Sequence, residues 1–316
     1  MDSLKLKKCG IIHKCVRNKI NFEIKPGMKL FDIRKNIEKW INEYSRMEIG
    51  NFDYKKSAIA FPVGLSINNV AAHHSPFSYD KTVYTENDIL KIDYGVQIGG
   101  VMVDAAFSIT ENLELLKLKK ISEEATNGAI KIAGVDSVLG DLGREIEEII
   151  TSNEIEIKGK MYQVTTCKDL CGHQILPFRI HGSKVIPNVS MNYNMRMKAG
   201  EIYAVETFPT TGTGNLKKGD NNSHLMINYA KPLNLKKNEI LKRNQTYQRI
   251  IEKRNTLPWH LDWLCGDSKV KLPELKKLIN DEIISEYPPL IDKKGSYVAQ
   301  TEHTIGIYNN KVEKYT

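Results

Sequence analysis

The chain has 316 residues, 41% of them hydrophobic and 27% charged, the profile of a folded soluble protein with ample core rather than a disordered or fibrous one. No apolar run approaches membrane-spanning length, and the opening Met1-Asp2-Ser3-Leu4-Lys5-Leu6-Lys7-Lys8 lacks the apolar core of a signal peptide. Five cysteines, odd in number and outside any paired zinc-ribbon spacing, exclude a disulfide scaffold and point to a reducing, cytoplasmic compartment, while the net charge of +8 suits attraction to a polyanion.

In chain order, Lys25-Pro26-Gly27 marks a turn, after which Leu30, Ile33, Ile37, Trp40, Ile41 and Tyr44 recur at helical spacing. Residues 58–70 read as a strand, a turn and a second short strand. Two runs rich in Ile, Val, Tyr and Phe flank Gly99-Gly100 and predict a tight hairpin over about 89–110. Helices follow near 112–134 and 138–152, then extended stretches at 162–166 and 184–188 and a strand over 201–208. From about 228 to 285 the texture turns to long, Lys- and Leu-rich helical segments, with Leu275, Leu278, Ile279 and Ile283 on one apolar face. A last strand spans Tyr297 to Tyr308. This order predicts an α+β fold, one domain over 1–316 with a helical insertion at 228–285.

With Gly99 and Gly100 as the loop, Gly95 faces Asp104, and Asp93 lies on the same face two residues away. The two carboxylates are then diagonal neighbours whose tips can converge. Two acids in one partly buried spot repel unless a proton or a cation lies between them. Glu206 interrupts the apolar row of Ile202 and Ala204, and Glu302 is an acid within the last strand. His173 and His181 sit beside glycines, eight residues apart, although a lone histidine is more often structural than a ligand. Asp93, Asp104, Glu206 and Glu302 carry four negative charges, which balance two divalent ions, with His173 as a neutral fifth ligand. Hard oxygens with one imidazole suit Mn, Fe, Co or Zn. Two such ions would lower the pKa of a bridging water. Cys167 and Cys171 read as buried small hydrophobes rather than ligands. The paired lysines carry no interleaved aromatics, so solvated faces are the simplest reading of the charge.

These residues, with their flanks, resemble the methionine aminopeptidases of type 2. The match runs through Phe61-Pro62-Val63-Gly64-Leu65-Ser66-Ile67-Asn68-Asn69, Ala71-Ala72-His73, the Asp93/Asp104 hairpin, Gly172-His173, Arg179-Ile180-His181 and Ala204-Val205-Glu206-Thr207-Phe208. It continues through Ser223-His224, Tyr287-Pro288-Pro289-Leu290 and Gly295-Ser296-Tyr297 to Glu302-His303-Thr304, covering nearly the whole chain from about residue 20. The resemblance implies a pita-bread fold with the helical insertion of type 2, and two divalent ions held by Asp93, Asp104, His173, Glu206 and Glu302, with Asp104 and Glu302 bridging. It further implies Glu206 as general base, His73 near the scissile amide and leaving nitrogen, and His181 at the carbonyl oxygen. Phe61, Ile180, His224, Tyr287 and Leu290 match positions that line the methionine side-chain pocket. The implied substrate is the initiator methionine of nascent chains with a small second residue. A cytoplasmic monomer with no membrane contact is expected, with the ribosome as a partner through the basic surface.

The chain departs from the family at His74, where tyrosine is usual, and at Cys171, Gln174 and Leu176 around His173. Pro258 and Trp259 occupy a stretch where a small residue often lines the pocket. All lie beside the ligand set, so they bear on substrate preference. Two other readings stay open: an Xaa-Pro aminopeptidase or prolidase, and a catalytically silent ribosome- or RNA-binding relative.

Overall fold

The computed structural model describes residues 2–49, 58–229, 241–264 and 267–316. Two long helices open the chain, α1 (Ser3–Glu23) and α2 (Leu30–Ile49). Helix α1 was not expected from the sequence. It starts at Asp2, whose side chain accepts from the amides of Leu4 and Lys5, and it buries Leu6, Cys9, Ile12, His13, Val16 and Ile20. Strands β1 (Gly64–Ile67) and β2 (Val70–Ala72) follow, and their turn holds Asn68 at a positive φ of 50°. The strand, turn and short strand expected over 58–70 thus begin only at Gly64, and before them Ile59 makes a single bridge to Val96.

The hairpin β3 (Ile89–Ile98) and β4 (Val101–Thr110) has the foreseen register, Ile98 opposite Val101 and Gly95 opposite Asp104. Gly99 and Gly100 both take positive φ, 59° and 84°, as the turn that matches strand twist requires. Helices α3 (Leu116–Ile132) and α4 (Leu139–Thr151) then pack together behind the central sheet. The small pairs β5 (Glu154–Ile157) with β6 (Lys160–Gln163), and β7 (Thr165–Thr166) with the later β11 (Pro209–Thr210), flank that layer.

The central sheet joins β8 (Cys171–Ile175), β9 (Val185–Pro187), β10 (Ile202–Thr207), β17 (Thr301–Tyr308) and β18 (Lys311–Lys314) in the order β18-β17-β10-β8-β9. Residues 297–300 precede the last long strand instead of belonging to it. One side of this layered body is the core of α1, α2 and the hairpin, and the other is the core of α3, α4 and the sheet. The result is a mixed α/β pita-bread body.

Between β13 (His224–Ile227) and β15 (Ile284–Tyr287) lies a third apolar cluster, built from Leu225, Leu241, Ile250, Trp259, Leu275 and Leu278 among others. Its described helices are short rather than long, α5 (Gln245–Arg254) and α6 (Leu272–Asn280). Strand β14 (Trp259–His260) separates them and pairs with β13. Residues 230–240 of the expected helical block lie outside the described residues, as does Cys265. Finally β12 (Lys217–Lys218) and β16 (Leu290–Ile291) line up with β2.

Candidate active site

The floor of the site stands on two central strands and the hairpin. On β10, buried along its whole length, Glu206 lies directly opposite Glu302 of β17. His173 on β8 lies opposite Ala204, one diagonal step from Glu206. Like charges directly opposed destabilise a ladder, so this pair calls for a proton or a cation. Strand β4 brings Asp104 alongside β17 through a reciprocal clip. The Asp104 amide donates to Thr304 Oγ1 at 2.7 Å, and the Thr304 hydroxyl donates to the Asp104 carbonyl at 2.6 Å. Ser108 and Gln300 repeat the device: the Ser108 hydroxyl donates to the Gln300 carbonyl at 3.0 Å, and the Gln300 amide donates to Ser108 Oγ at 2.8 Å.

Oxygens of Asp104 and Glu302 and a ring nitrogen of His173 lie within 4.8 Å of one another. His173 Nε2 is 3.5 Å from Asp104 Oδ2 and 3.9 Å from Glu206 Oε1. Burial raises the carboxyls of Asp93, Glu206 and Glu302 well above the usual carboxylate range, and neighbouring acids, Asp104 foremost, add to it. Asp93 Oδ1, Asp104 Oδ1 and Glu302 Oε1 are buried without a hydrogen-bond partner among the described residues. Unpaired buried acceptors are costly and rare in native structures. Carboxylate oxygens with one imidazole are the donor set of a hard to borderline divalent cation. The residues therefore fit a metal. The four cysteines described are free thiols, and none joins the cluster. Cys171 is half-buried beside Glu206, its thiol pushed up to about 11 by burial and by that acid.

Above this floor lies a cavity of about 80 Å³ that opens towards solvent. Its wall includes Phe61, His73, Ile180, His181, His224 and Tyr287, so all the sequence-derived candidates but one meet in a single place. The exception is Leu290, which pairs with Ala72 on β2 and packs against the cluster of Cys167, Leu170 and Phe208, outside the cavity wall. Pro258, from the stretch expected to line the pocket, does line the cavity, and so do Met226, Leu170 and Phe208, which were not assigned from the sequence. Met226 could have been found, because it shares a strand face with His224. Gln300 was missed as well. Its amide donates to Asp93 Oδ2 at 3.2 Å and Glu206 Oε2 at 3.4 Å, and its place two residues ahead of Glu302 is the signal.

The histidines form an arc around the cavity. The rings of His173 and His181 meet edge to face at 4.5 Å, and His73 lies 5.9 Å from both His224 and Tyr287. His73 has a φ of +64°, a left-handed backbone that costs a non-glycine residue about 1–3 kcal/mol and is typical of functional sites. Burial lowers His73 to about 4 and holds His181 and His224 well below the ordinary histidine value. His224 has Ser223 Oγ 3.0 Å from Nδ1. His74 turns away: its Nδ1 is 2.8 Å from the Leu65 carbonyl and its Nε2 is 3.2 Å from Asp80.

Residues 5–227 match metallopeptidase family M24. Over 98% of its length the chain is 39% identical to methionine aminopeptidase 2 of Saccharomyces cerevisiae, covering 73% of that protein. It is 40% identical over 306 residues to the enzyme of the same name from Komagataella phaffii, covering 96% of this chain and 67% of that one. The chain belongs to metallopeptidase family M24, among the type 2 methionine aminopeptidases. It is accordingly a metalloaminopeptidase. Among solved structures, a thermophilic Arx1 superposes with a TM-score of 0.80 at 16% identity, covering 99% of this chain and 90% of that one. A methionine aminopeptidase from Thermotoga maritima gives 0.65 at 18%, covering 100% and 98%. At such identities these two speak for the pita-bread fold alone. Among the described residues no helix is long and apolar enough to cross a membrane.

Proposed function

We propose that the protein removes the initiator methionine from nascent chains whose second residue is small, using a water activated at a dinuclear metal site. One observation carries this reading: four carboxylates and an imidazole, with buried oxygens left unpartnered, converge on the floor of an apolar cavity. Asp93, Asp104, His173, Glu206 and Glu302 would hold the two ions, and Mn, Fe, Co and Zn all suit these donors. When bound, such ions lower the pKa of a shared water and polarise a peptide carbonyl.

The protein's own groups supply the rest. Glu206 would take the proton of the attacking water, at the inner edge of the cavity. His73, held neutral by burial, has a ring nitrogen to offer as an acceptor for the scissile N–H. His181, also neutral, has its backbone carbonyl held by the Tyr229 hydroxyl at 2.7 Å, and its ring can donate to the carbonyl oxygen as that atom gains charge. His224, held neutral by burial with Ser223 Oγ 3.0 Å from its Nδ1, would serve as a wall for the methionine side chain, with Phe61, Ile180 and Tyr287. Free thiols and the net charge of +8 support a reducing cytoplasm and an approach to ribosomal RNA, with the protein acting as a monomer.

The test is methionine release from Met-Ala-Ser by purified protein with added Mn or Co, before and after chelation, alongside an Xaa-Pro peptide. Metal-dependent release of methionine is expected. Cleavage of the Xaa-Pro peptide alone, or no release with any metal, would overturn the reading.

A further inference from the structure

Arg254 ends α5 and is buried behind the apolar wall of the cavity. Its Nη2 donates to three carbonyls: Ile59 at 3.0 Å, Ala60 at 2.9 Å and Pro258 at 2.7 Å. Ala60 precedes Phe61 in the chain, and Pro258 is itself part of the wall. One guanidinium nitrogen thus joins two stretches, some two hundred residues apart, that deliver wall residues to the same cavity. The guanidinium carbon lies 5.0 Å from the Trp263 ring, and the Trp263 indole donates to Glu38 of α2 at 3.0 Å. The next turn of chain is tied down separately, since Arg34 of α2 meets His260 Nε2 at 2.6 Å and Asp262 at 3.1 Å.

Arg254 has no carboxylate partner among the described residues, so carbonyl dipoles and a ring face hold a buried cation. Burial lowers it to about 10, which leaves it charged at neutral pH. A buried cation is expensive, and an apolar side chain would fill the same space at lower cost. What the guanidinium adds is register: it fixes three carbonyls of two segments at one point. Phe61 is held from its other side by Gly95, where an added Cβ would overlap its ring.

We propose that Arg254 is a positioning residue that sets the width of the methionine side-chain pocket by tying residues 59–62 to Pro258, an inference that rests on the aminopeptidase reading above. Without the tie, Phe61 and Pro258 lose their common anchor and the side chain meets a wider, softer slot. The groups assigned to the reaction are Asp93 on β3, Asp104 on β4, His173 on β8, Glu206 on β10, Glu302 on β17 and the loop residues His73 and His181; Arg254 bonds none of them, so binding and selectivity change while the chemical step is kept.

The experiment compares Arg254→Met, Arg254→Lys and the unsubstituted protein, all loaded with manganese. Substrates are Met-Ala-Ser and its ethionine analogue, whose side chain is one methylene longer. Arg254→Met should raise KM for Met-Ala-Ser by about tenfold with kcat within about twofold. Its preference for methionine over ethionine should fall by roughly tenfold, the scale on which a hydrophobic pocket reads one methylene. Arg254→Lys, with a charge and three donors on a shorter reach, should recover part of both changes. Unchanged KM and preference in folded Arg254→Met, or a fall in kcat with preference intact, would overturn the proposal. If the Met variant does not fold, an unaltered preference in Arg254→Lys does the same. Failure of the unsubstituted protein to release methionine would sink the aminopeptidase reading instead, so the two failures are distinct.

Discussion

Replacing Asp104 by asparagine should abolish methionine release and yet make the metal-free protein more stable. After burial, the charge of Asp104 does most to raise Asp93, Glu206 and Glu302, so it is the electrostatic centre of the cluster. Its nearest ligand oxygen lies within 4.8 Å of that of Glu302, a separation at which two unit charges repel by roughly 3.5 kcal/mol at an effective dielectric of about 20. The raised Glu302 carboxyl relieves part of that by holding a proton, which leaves a gain of about 1–3 kcal/mol when the Asp104 charge is deleted at constant shape. For a chain of this size that is a rise of about 2–6 °C in the melting temperature after chelation. Added manganese reverses the order, because a ligand that binds the native state stabilises in proportion to its affinity, and the variant has lost an anionic ligand. Calorimetry with a chelator and across a manganese titration, paired with the Met-Ala-Ser assay, reads both halves. A chelated variant that melts at or below the unsubstituted protein, or one that keeps full activity, would refute the reasoning.

The histidines predict an acid limit. His13, stacked on Tyr94 at 4.1 Å, is lowered by burial to about 3, and His73 to about 4, so both are neutral when folded and take up protons on unfolding. Stability from such groups is complete above their unfolded value of about 6.5 and is lost as pH falls, at up to about 1.4 kcal/mol per unit for each histidine. Urea melts of His13→Phe should accordingly show a slope shallower by one proton between about pH 4 and 6, and parallel curves would count against it. The carboxylates work in the opposite sense: their folded values are raised, so the chelated protein should lose stability as pH climbs from their unfolded value of about 4, a loss read free of the histidines once pH passes about 6.5, and manganese should remove it. A chelated protein whose stability is flat or rising there contradicts the cluster. Gly95→Ala would drive a methyl into Phe61 and Ala60, costing about 1–3 kcal/mol by overpacking and raising KM for methionine peptides. Unchanged melting and KM would show that the Phe61 wall is not fixed from the hairpin side.

The hairpin was legible because its determinants are local. Two glycines at the loop and alternation on either side settle the register, and register settles where Asp93 and Asp104 point. Glu206 stood out as an acid within an apolar strand face. Its partner Glu302 could not be placed by the same arithmetic, because the ladder between β10 and β17 joins residues about a hundred positions apart. Charge counting and then family resemblance put both acids in one ligand set, and the strands place them opposite each other. Helix α1 went unread although Leu6, Cys9, His13, Val16 and Ile20 recur at helical spacing. Lys5, Lys7, Lys8, Lys14 and Lys19 dilute the apolar signal of the segment as a whole, and tertiary packing on the hairpin decides its fate. The insertion misled in the other direction. Its Lys- and Leu-rich texture suggested long helices, but Leu257-Pro258-Trp259 breaks the run, since proline can neither continue the helix nor let the residue before it do so, and the chain pairs with β13 instead.

That break connects the chain's departures from its relatives to its pocket. Pro258 puts a rigid residue in the wall, Trp259 fills the insertion's core, and His260 pairs across the sheet with His224. Arg34 and Arg254 then fasten the segment from two sides. The metal-ligand residues take no part in this. They are fixed by the Thr304 and Ser108 clips, by Gln300 and by the central ladders, all within the catalytic body. Two support systems thus hold one cavity, one for its floor and one for its wall. Damage to the first should appear in kcat and metal retention, and damage to the second in KM and side-chain preference. A substitution at Arg34, Arg254 or Pro258 that stripped metal while leaving KM intact would show that the two supports are one.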